Sequence, residues 1–343
     1  MRFIGSKALL LLEIENVIKK NVKSAEIFCD IFAGTSVVGR YFKKDYKIIS
    51  NDLLYFSYVL QKASIEINKK PLYNKLQKSL GINPFDYLHN EDITLDSFNE
   101  APFIYQNYSP NEDCDRQYFT NENALRIDFI RQSIEKWKKE ELINEQEYFY
   151  LLAALIEGIP FISNIAGTYG AFLKHWDKRA LKKFELIQLD LLDNNKNNIS
   201  FNKDSNNLIK EISGDILYID PPYNQRQYAP NYHILETVAR YDNPQIKGKT
   251  GLRPYNDIKS KYCVKKEVLR SFQELICSAN FKHIIVSYST EGIMSVEDIE
   301  NTLKEYGKHN TYKLYKIPYR RYKHRPGKVE HDLHELLFYI KKD

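Results

Sequence analysis

Apolar and polar positions follow two different rhythms along this chain. Residues 8–20 place apolar side chains at helical spacing and close on Lys19-Lys20, which predicts a helix with basic residues in its last turn. Ala25–Phe32 is a short apolar run, the pattern of a buried strand. Ala33-Gly34-Thr35-Ser36 reads as a turn, Val37–Lys44 as a helix and Asp45–Ser50 as a second strand ending at Asn51-Asp52. Strand, helix, strand at this scale implies a parallel sheet with a right-handed crossover.

From about residue 66 to 195 the rhythm is helical. Asn121–Lys139 and Glu145–Glu157 are the best-patterned helices, and Pro160 ends the second. Asn107–Thr120 and Asn164–Trp176 read as loops. The sheet pattern then returns, with strands predicted at Asn198–Phe201, Asp215–Asp220, Phe281–Tyr288 and His334–Ile340 and a helix at Ser205–Ile212. The last strand is expected at an antiparallel edge. The fold class is therefore α/β: a sheet domain of residues 1–65 and 196–343, interrupted by a mainly helical insertion of residues 66–195.

Composition narrows the function. With 43% hydrophobic and 28% charged residues in 343, the chain buries a core and is not disordered. No run approaches the roughly 18 apolar residues of a membrane span. Glu13 and Glu15 follow the apolar start without a small-residue cleavage site, so no signal peptide and no membrane are expected. Four scattered cysteines without C-x-x-C favour a reducing cytosol over a disulfide framework, and His324, His331 and His334 lack the companions of a metal site. The net charge of +5 is modest, but Lys313–Lys328 holds seven Lys/Arg and no acid, interleaved with Tyr315, Tyr319 and Tyr322. That local field attracts a polyanion.

Two motifs carry chemistry. Asp220-Pro221-Pro222-Tyr223 follows an apolar strand, and open α/β sheets bind ligands beyond the carboxyl ends of their strands. The two prolines stiffen the tip and remove two donors. What remains is a carboxylate, a prolyl carbonyl and an aromatic face, which suit a planar nitrogenous ring bearing an amino group. The second motif is Asp30-Ile31-Phe32-Ala33-Gly34-Thr35-Ser36, whose glycine lets backbone approach a ligand at a helix N-terminus. Asp52 closes the next strand about 20 residues on, where an acid can accept both hydroxyls of a ribose.

Together with Arg2-Phe3-Ile4-Gly5-Ser6-Lys7, these stretches resemble the D12 class of adenine-specific DNA methyltransferases, the Dam-like and FokI-methylase-like alpha group. The order also matches: a Lys-bearing motif, the glycine turn, an insertion, then D-P-P-Y. The resemblance implies a Rossmann-like methyltransferase sheet with helices on both faces, with residues 66–195 as target-recognition domain. It implies S-adenosyl-L-methionine as cofactor and double-stranded DNA as substrate, and leaves open both a cognate restriction endonuclease as partner and a solitary role. Asp220, Pro221, Pro222 and Tyr223 would be the catalytic set. Gly5, Lys7, Asp30, Phe32, Gly34, Thr35, Ser36, Asp52 and Asp204 would meet the cofactor. Arg126, Arg131, Lys174, Arg320, Arg321 and Lys323 would bind DNA, with Lys178 and Arg179 as further phosphate contacts. Asn164–Gly170 and Tyr232–Thr237 resemble stretches shared by FokI-like members, suggesting DNA contact and a helix beside the active loop. Two departures are conservative in size: Ser36 for the usual second glycine, and Gly5-Ser6-Lys7 for Gly-Gly-Lys. The expected reaction is methyl transfer to N6 of an adenine flipped out of the duplex. An RNA or protein-amide methyltransferase, and a non-catalytic DNA-binding module on the same scaffold, are the alternatives.

Overall fold

The computed structural model describes residues 5–318 and 334–342. The chain forms two compact units. The sheet unit comprises Ser6–Leu53, Asn194–Gln227 and Lys259–Asp343, and the helical unit comprises Met1–Gly5, Leu54–Asp193 and Tyr228–Ile258.

In the sheet unit the described residues form seven strands: β1 (Ile27–Asp30), β2 (Lys47–Asn51), β3 (Ile199–Phe201), β4 (Ser213–Ile219), β5 (Asn280–Ser289), β6 (Lys313–Pro318) and β7 (His334–Lys341). Their order is β3-β2-β1-β4-β5-β7-β6, with β1 to β5 parallel and β6 and β7 antiparallel. The order reverses between β1 and β4, the position at which doubly wound sheets open a crevice at their carboxyl ends.

Side-chain alternation divides the sheet into two faces. Cys29, Leu217, Ile219, Ile284, Val286, Leu336 and Phe338 lie in one core with Phe272, Leu275 and Leu303. These last three belong to helices Val268–Ser278 and Val296–Tyr306, which cover that face. On the other face Phe28 stacks on Phe42 of α2 (Val37–Phe42), with ring centroids 4.7 Å apart, and α1 (Leu11–Asn21) packs against β7. Helices thus cover both faces of a mixed sheet, the Rossmann-like arrangement expected.

Two expectations about this unit change. β7 is not an edge strand, because β6 pairs outside it. Basic residues spaced through Lys313–Pro318 masked the strand, and only its half-buried Leu314, Tyr315 and Ile317 turn toward protein. The helix expected over Ser205–Ile212 is shorter, Ser205–Leu208, because the chain then closes in tight turns, with Lys210 N–H donating to Asn207 and Glu211 N–H to Leu208, before β4 begins at Ser213.

The helical unit is built on α3 (Tyr55–Gln61), α4 (Asn121–Lys139), α5 (Glu145–Gly158) and α6 (His233–Arg240). Thr120 and Asn144 cap the starts of α4 and α5, the latter through a reciprocal box with Glu147. Helix α5 is buried almost all round, from Tyr148 to Ile156, as expected of a helix apolar on every side. The unit starts at Leu54 and takes in Tyr228–Ile258, whereas the pattern placed its limits at 66 and 195. One bond that joins these segments comes from Glu236 of α6. Its buried carboxylate (1% exposed) accepts the backbone N–H groups of Tyr55 and Phe56, tying α6 to the start of α3. No helix of the described residues is long and apolar enough to cross a membrane.

Candidate active site

The functional motifs of the sheet unit gather at the carboxyl ends of its parallel strands. Asp30 ends β1 and pairs in register with Tyr218 of β4, so Asp220 emerges one strand away from the glycine turn. Gly34 sits at φ +50° and Ser36 at φ +62°, a left-handed pair that folds the chain back into α2. The N–H of Gly34 donates to Asp52 Oδ2 at 2.8 Å, which anchors the turn to the end of β2. Neighbouring Asn51 braces the same corner by donating to the carbonyls of Ile31 and Lys203.

The Asp-Pro-Pro-Tyr tip is held from several sides. The Tyr223 carbonyl accepts the N–H of Ile293 at 3.0 Å, and its ring meets Tyr288 edge-on at 6.2 Å. Tyr288 in turn accepts the N–H of Met294 and lies so close to Gly292 that any Cβ there would fall 2.0 Å from the ring. Lys7 reaches the tip from the N-terminal segment. Its ammonium stands 3.3 Å from Asp220 Oδ1, 3.2 Å from Glu335 Oε2 and 5.5 Å from the centre of the Tyr223 ring.

These groups set one another's charge. Burial pushes the Asp220 carboxyl up; Lys7 pulls it back, Glu335 pushes it further, and the balance stands at about 6. Burial alone would lower Lys7, but the carboxylates of Asp220 and Glu335 outweigh it and hold the ammonium firmly protonated. Asp30 is pushed well above the usual carboxylate range by burial, then by Asp220 and Asp52. Its Oδ1 has no hydrogen-bond partner among the described residues.

That orphaned oxygen tests the expected cofactor. A buried carboxylate next to two other acids fits a ligand carrying positive charge, such as a sulfonium or an amino group. The glycine turn and Asp52 lie beside it. Asp30, Phe32, Gly34, Thr35, Ser36 and Asp52 thus share one corner of the sheet unit. Asp204 is at the end of β3, where its Oδ1 caps the following helix by accepting the N–H groups of Asn206 and Asn207. Gly5, at φ +80°, belongs to the helical unit, packed near the hydroxyl of Tyr228.

The expected DNA contacts fare differently. Arg131 is 3% exposed and donates to the carbonyls of Val238 and Ala239 at the end of α6, with its guanidinium over Tyr241. It is a buried staple of the helical unit and does not face a phosphate. Arg126 is half-buried and donates to the Leu88 carbonyl. Lys174 and Lys178 are exposed, and Arg179 is engaged with Asp177 and the Ile165 carbonyl. Arg320, Arg321 and Lys323 lie outside the described residues. In Asn164–Gly170, Asn164 is an internal brace, donating to Gln117 and Leu173 and accepting from Asp177, while the Tyr169 carbonyl accepts from Tyr118 and bonds His233. Residues 232–237 are buried, with Glu236 as the helix anchor described above.

Sequence reading missed Glu335. It lies 115 residues after Asp220, and only the antiparallel register, Glu335 against Ser289, brings it to the same end of the sheet. An acid inside the apolar run Glu335–Ile340 was the available signal.

A Rossmann-like sheet with a glycine turn and a D-P-P-Y tip on adjacent strands defines a methyltransferase scaffold. The chain belongs to the D12 class N6 adenine-specific DNA methyltransferases, whose family pattern matches residues 3–302. It is 56% identical over 345 residues to the Type II methyltransferase M.FokI of Planomicrobium okeanokoites, covering 100% of this chain and 53% of that protein. It is 47% identical over 343 residues to the Modification methylase StsI of Streptococcus sanguinis, covering 100% of this chain and 52% of that one. The chain spans about half the length of these two relatives. With the Type II methyltransferase M.NlaIII of Neisseria lactamica it shares 42% identity over 330 residues, 94% of this chain and 92% of that protein.

Proposed function

We propose that this chain transfers a methyl group from S-adenosyl-L-methionine to N6 of an adenine flipped out of duplex DNA at a specific sequence, as the modification enzyme of a restriction–modification system acting in the bacterial cytosol. The observation that carries this reading is the adjacency of Asp30 and Gly34 with Asp220 on neighbouring parallel strands. It sets a turn suited to a cationic donor beside a tip suited to an amine.

The exocyclic nitrogen of adenine is a poor nucleophile because its lone pair is delocalised into the ring. Asp220 Oδ and the Pro221 carbonyl accept its two hydrogens, which favours a pyramidal nitrogen with the lone pair exposed. Fixing that direction makes orientation a large contribution, for which about 7–11 kcal/mol is available in principle. Tyr223 replaces the stacking lost on flipping, roughly 1–3 kcal/mol per base. When bound, S-adenosyl-L-methionine would supply an electrophilic methyl and keep the C–S electron pair as the C–N bond formed; the displaced N6 proton would pass to solvent water. No covalent enzyme intermediate is needed, and the buried Cys29, Cys114 and Cys263 take no part. The helical unit serves as the target reader, with Lys174 and Lys178 on backbone phosphates and base edges read in the major groove.

The test is methyl incorporation from labelled S-adenosylmethionine into duplex DNA, followed by nucleoside analysis. N6-methyladenine at one sequence is the expected product. Label in 5-methylcytosine, preferred labelling of RNA or of a protein amide, or no label with cofactor bound would overturn the proposal.

A further inference from the structure

The geometry points to Glu335 as a positioning residue for the transfer: by sharing Lys7 with Asp220, it holds the ammonium at the tip and leaves that tip with one surplus negative charge. The inference rests on the methyl-transfer reading above and assigns a role within the same site.

Three charges lie within one cluster. Lys7 is 4% exposed and Glu335 8%, so bulk water screens neither strongly. With the ammonium 3.3 Å from one carboxylate and 3.2 Å from the other, the cluster holds two negative charges and one positive. A lone Lys7–Asp220 pair would be neutral. That would be a poor match to the reaction, because positive charge grows on the attacked nitrogen until its proton leaves. An environment arranged in advance against developing charge is worth more in the transition state than in the ground state. Glu335 supplies the missing charge without touching the substrate. The fold makes this possible because β7 runs antiparallel, which puts its first residues at the carboxyl ends of β4 and β5. Alternation then places Glu335 and Leu337 on the same face as Ser287 and Tyr218. It is also the face on which α1, a few residues after Lys7, packs against β7.

The same arrangement predicts a signature in pH. Asp220 is faced by Lys7 from the N-terminal segment, Glu335 from β7, Asp30 from β1, and Tyr218 from its own strand. Lys7 favours the ionised carboxylate and Glu335 disfavours it. Since the carboxylate must accept the amine hydrogens, kcat/KM falls as Asp220 is protonated below its value of about 6.

The experiment compares the wild type with Glu335→Gln and Lys7→Met from pH 5 to 9, on a duplex carrying the target site. Removing the negative neighbour should move the acid limb of kcat/KM to lower pH, by on the order of one unit. Removing the positive neighbour should move it to higher pH. Glu335→Gln should also lower kcat at the plateau about 10-fold, with KM for DNA unchanged. Glu335→Asp, which keeps the charge, should keep the wild-type limb. Limbs that coincide, or that move in the same direction in the Gln and Met variants, would overturn the role. Glu335→Thr provides a second neutral variant suited to a strand. If neither neutral variant folds, Glu335 is a structural ion-pair partner and the inference is lost. Failure of the wild type to methylate adenine would instead remove the underlying reading.

Discussion

Ser36 stands at the start of α2 in a backbone conformation that favours glycine, and the consequence is measurable. Its φ of +62° and ψ of 22° lie in the left-handed region, where a side chain costs about 1 kcal/mol relative to glycine. The side chain is fully buried, and its hydroxyl has no hydrogen-bond partner among the described residues. Such a hydroxyl costs roughly 1 kcal/mol or more. Ser36→Gly removes both penalties and adds the greater freedom of glycine in the unfolded chain, an opposing cost of about 0.5–1 kcal/mol. The net expectation is a stabilisation of about 1 kcal/mol. For a unit of this size that corresponds to a rise in midpoint of about 2–4 °C. Differential scanning calorimetry of the cofactor-free protein measures it. A midpoint that stays put or falls would refute the strain argument and mean that the serine side chain makes a favourable contact.

Three further outcomes are expected. Asp220→Asn keeps the shape of the tip but replaces a charged acceptor, so single-turnover methylation should fall about 100- to 1000-fold while DNA binding by gel shift is retained; equal losses in both would contradict a catalytic role. Glu236→Ala removes the carboxylate that anchors the start of α3 and pairs with Arg240 at 2.6 Å, and should cost about 1–3 kcal/mol in urea unfolding, because it takes away the buried acceptor of the Tyr55 and Phe56 N–H groups while the partly exposed Arg240 keeps solvent contact. Lys174→Ala should weaken DNA binding and lower the slope of log K against log salt by about 0.9, whereas Arg131→Met should destabilise the helical unit and leave that slope unchanged; a salt-slope change in the Arg131 variant would show that its guanidinium reaches the phosphates after all.

Much of the sheet unit was legible because its signals are local. An apolar strand, a glycine and a following helix occupy one consecutive stretch, Ile27 to Phe42, and their burial follows from a sheet covered on both faces. The D-P-P-Y tip was legible for the same reason, since the prolines restrict the chain wherever it goes. β6 was not legible. An outermost strand buries only part of its side chains, and Lys313 and Lys316 are tolerated there. The helical unit was legible as helices but not in extent. The compact unit begins at Leu54, and the start of α3 is tied to a carboxylate 180 residues after Phe56, a bond that no periodicity reports. Arg131 shows the complementary error: charge on a helix reads as surface, yet the aromatic and carbonyl partners that bury it come from another helix.

Sequence by itself determined which chemical groups this protein has at the ends of its strands, because strand, turn and proline geometry are set by neighbours in the chain. Only tertiary structure decided which of those groups share a charge. Lys7, Asp220 and Glu335 are scattered over 328 positions, and electrostatic energy depends on distance through space, which the strand order and the reversed direction of β7 impose.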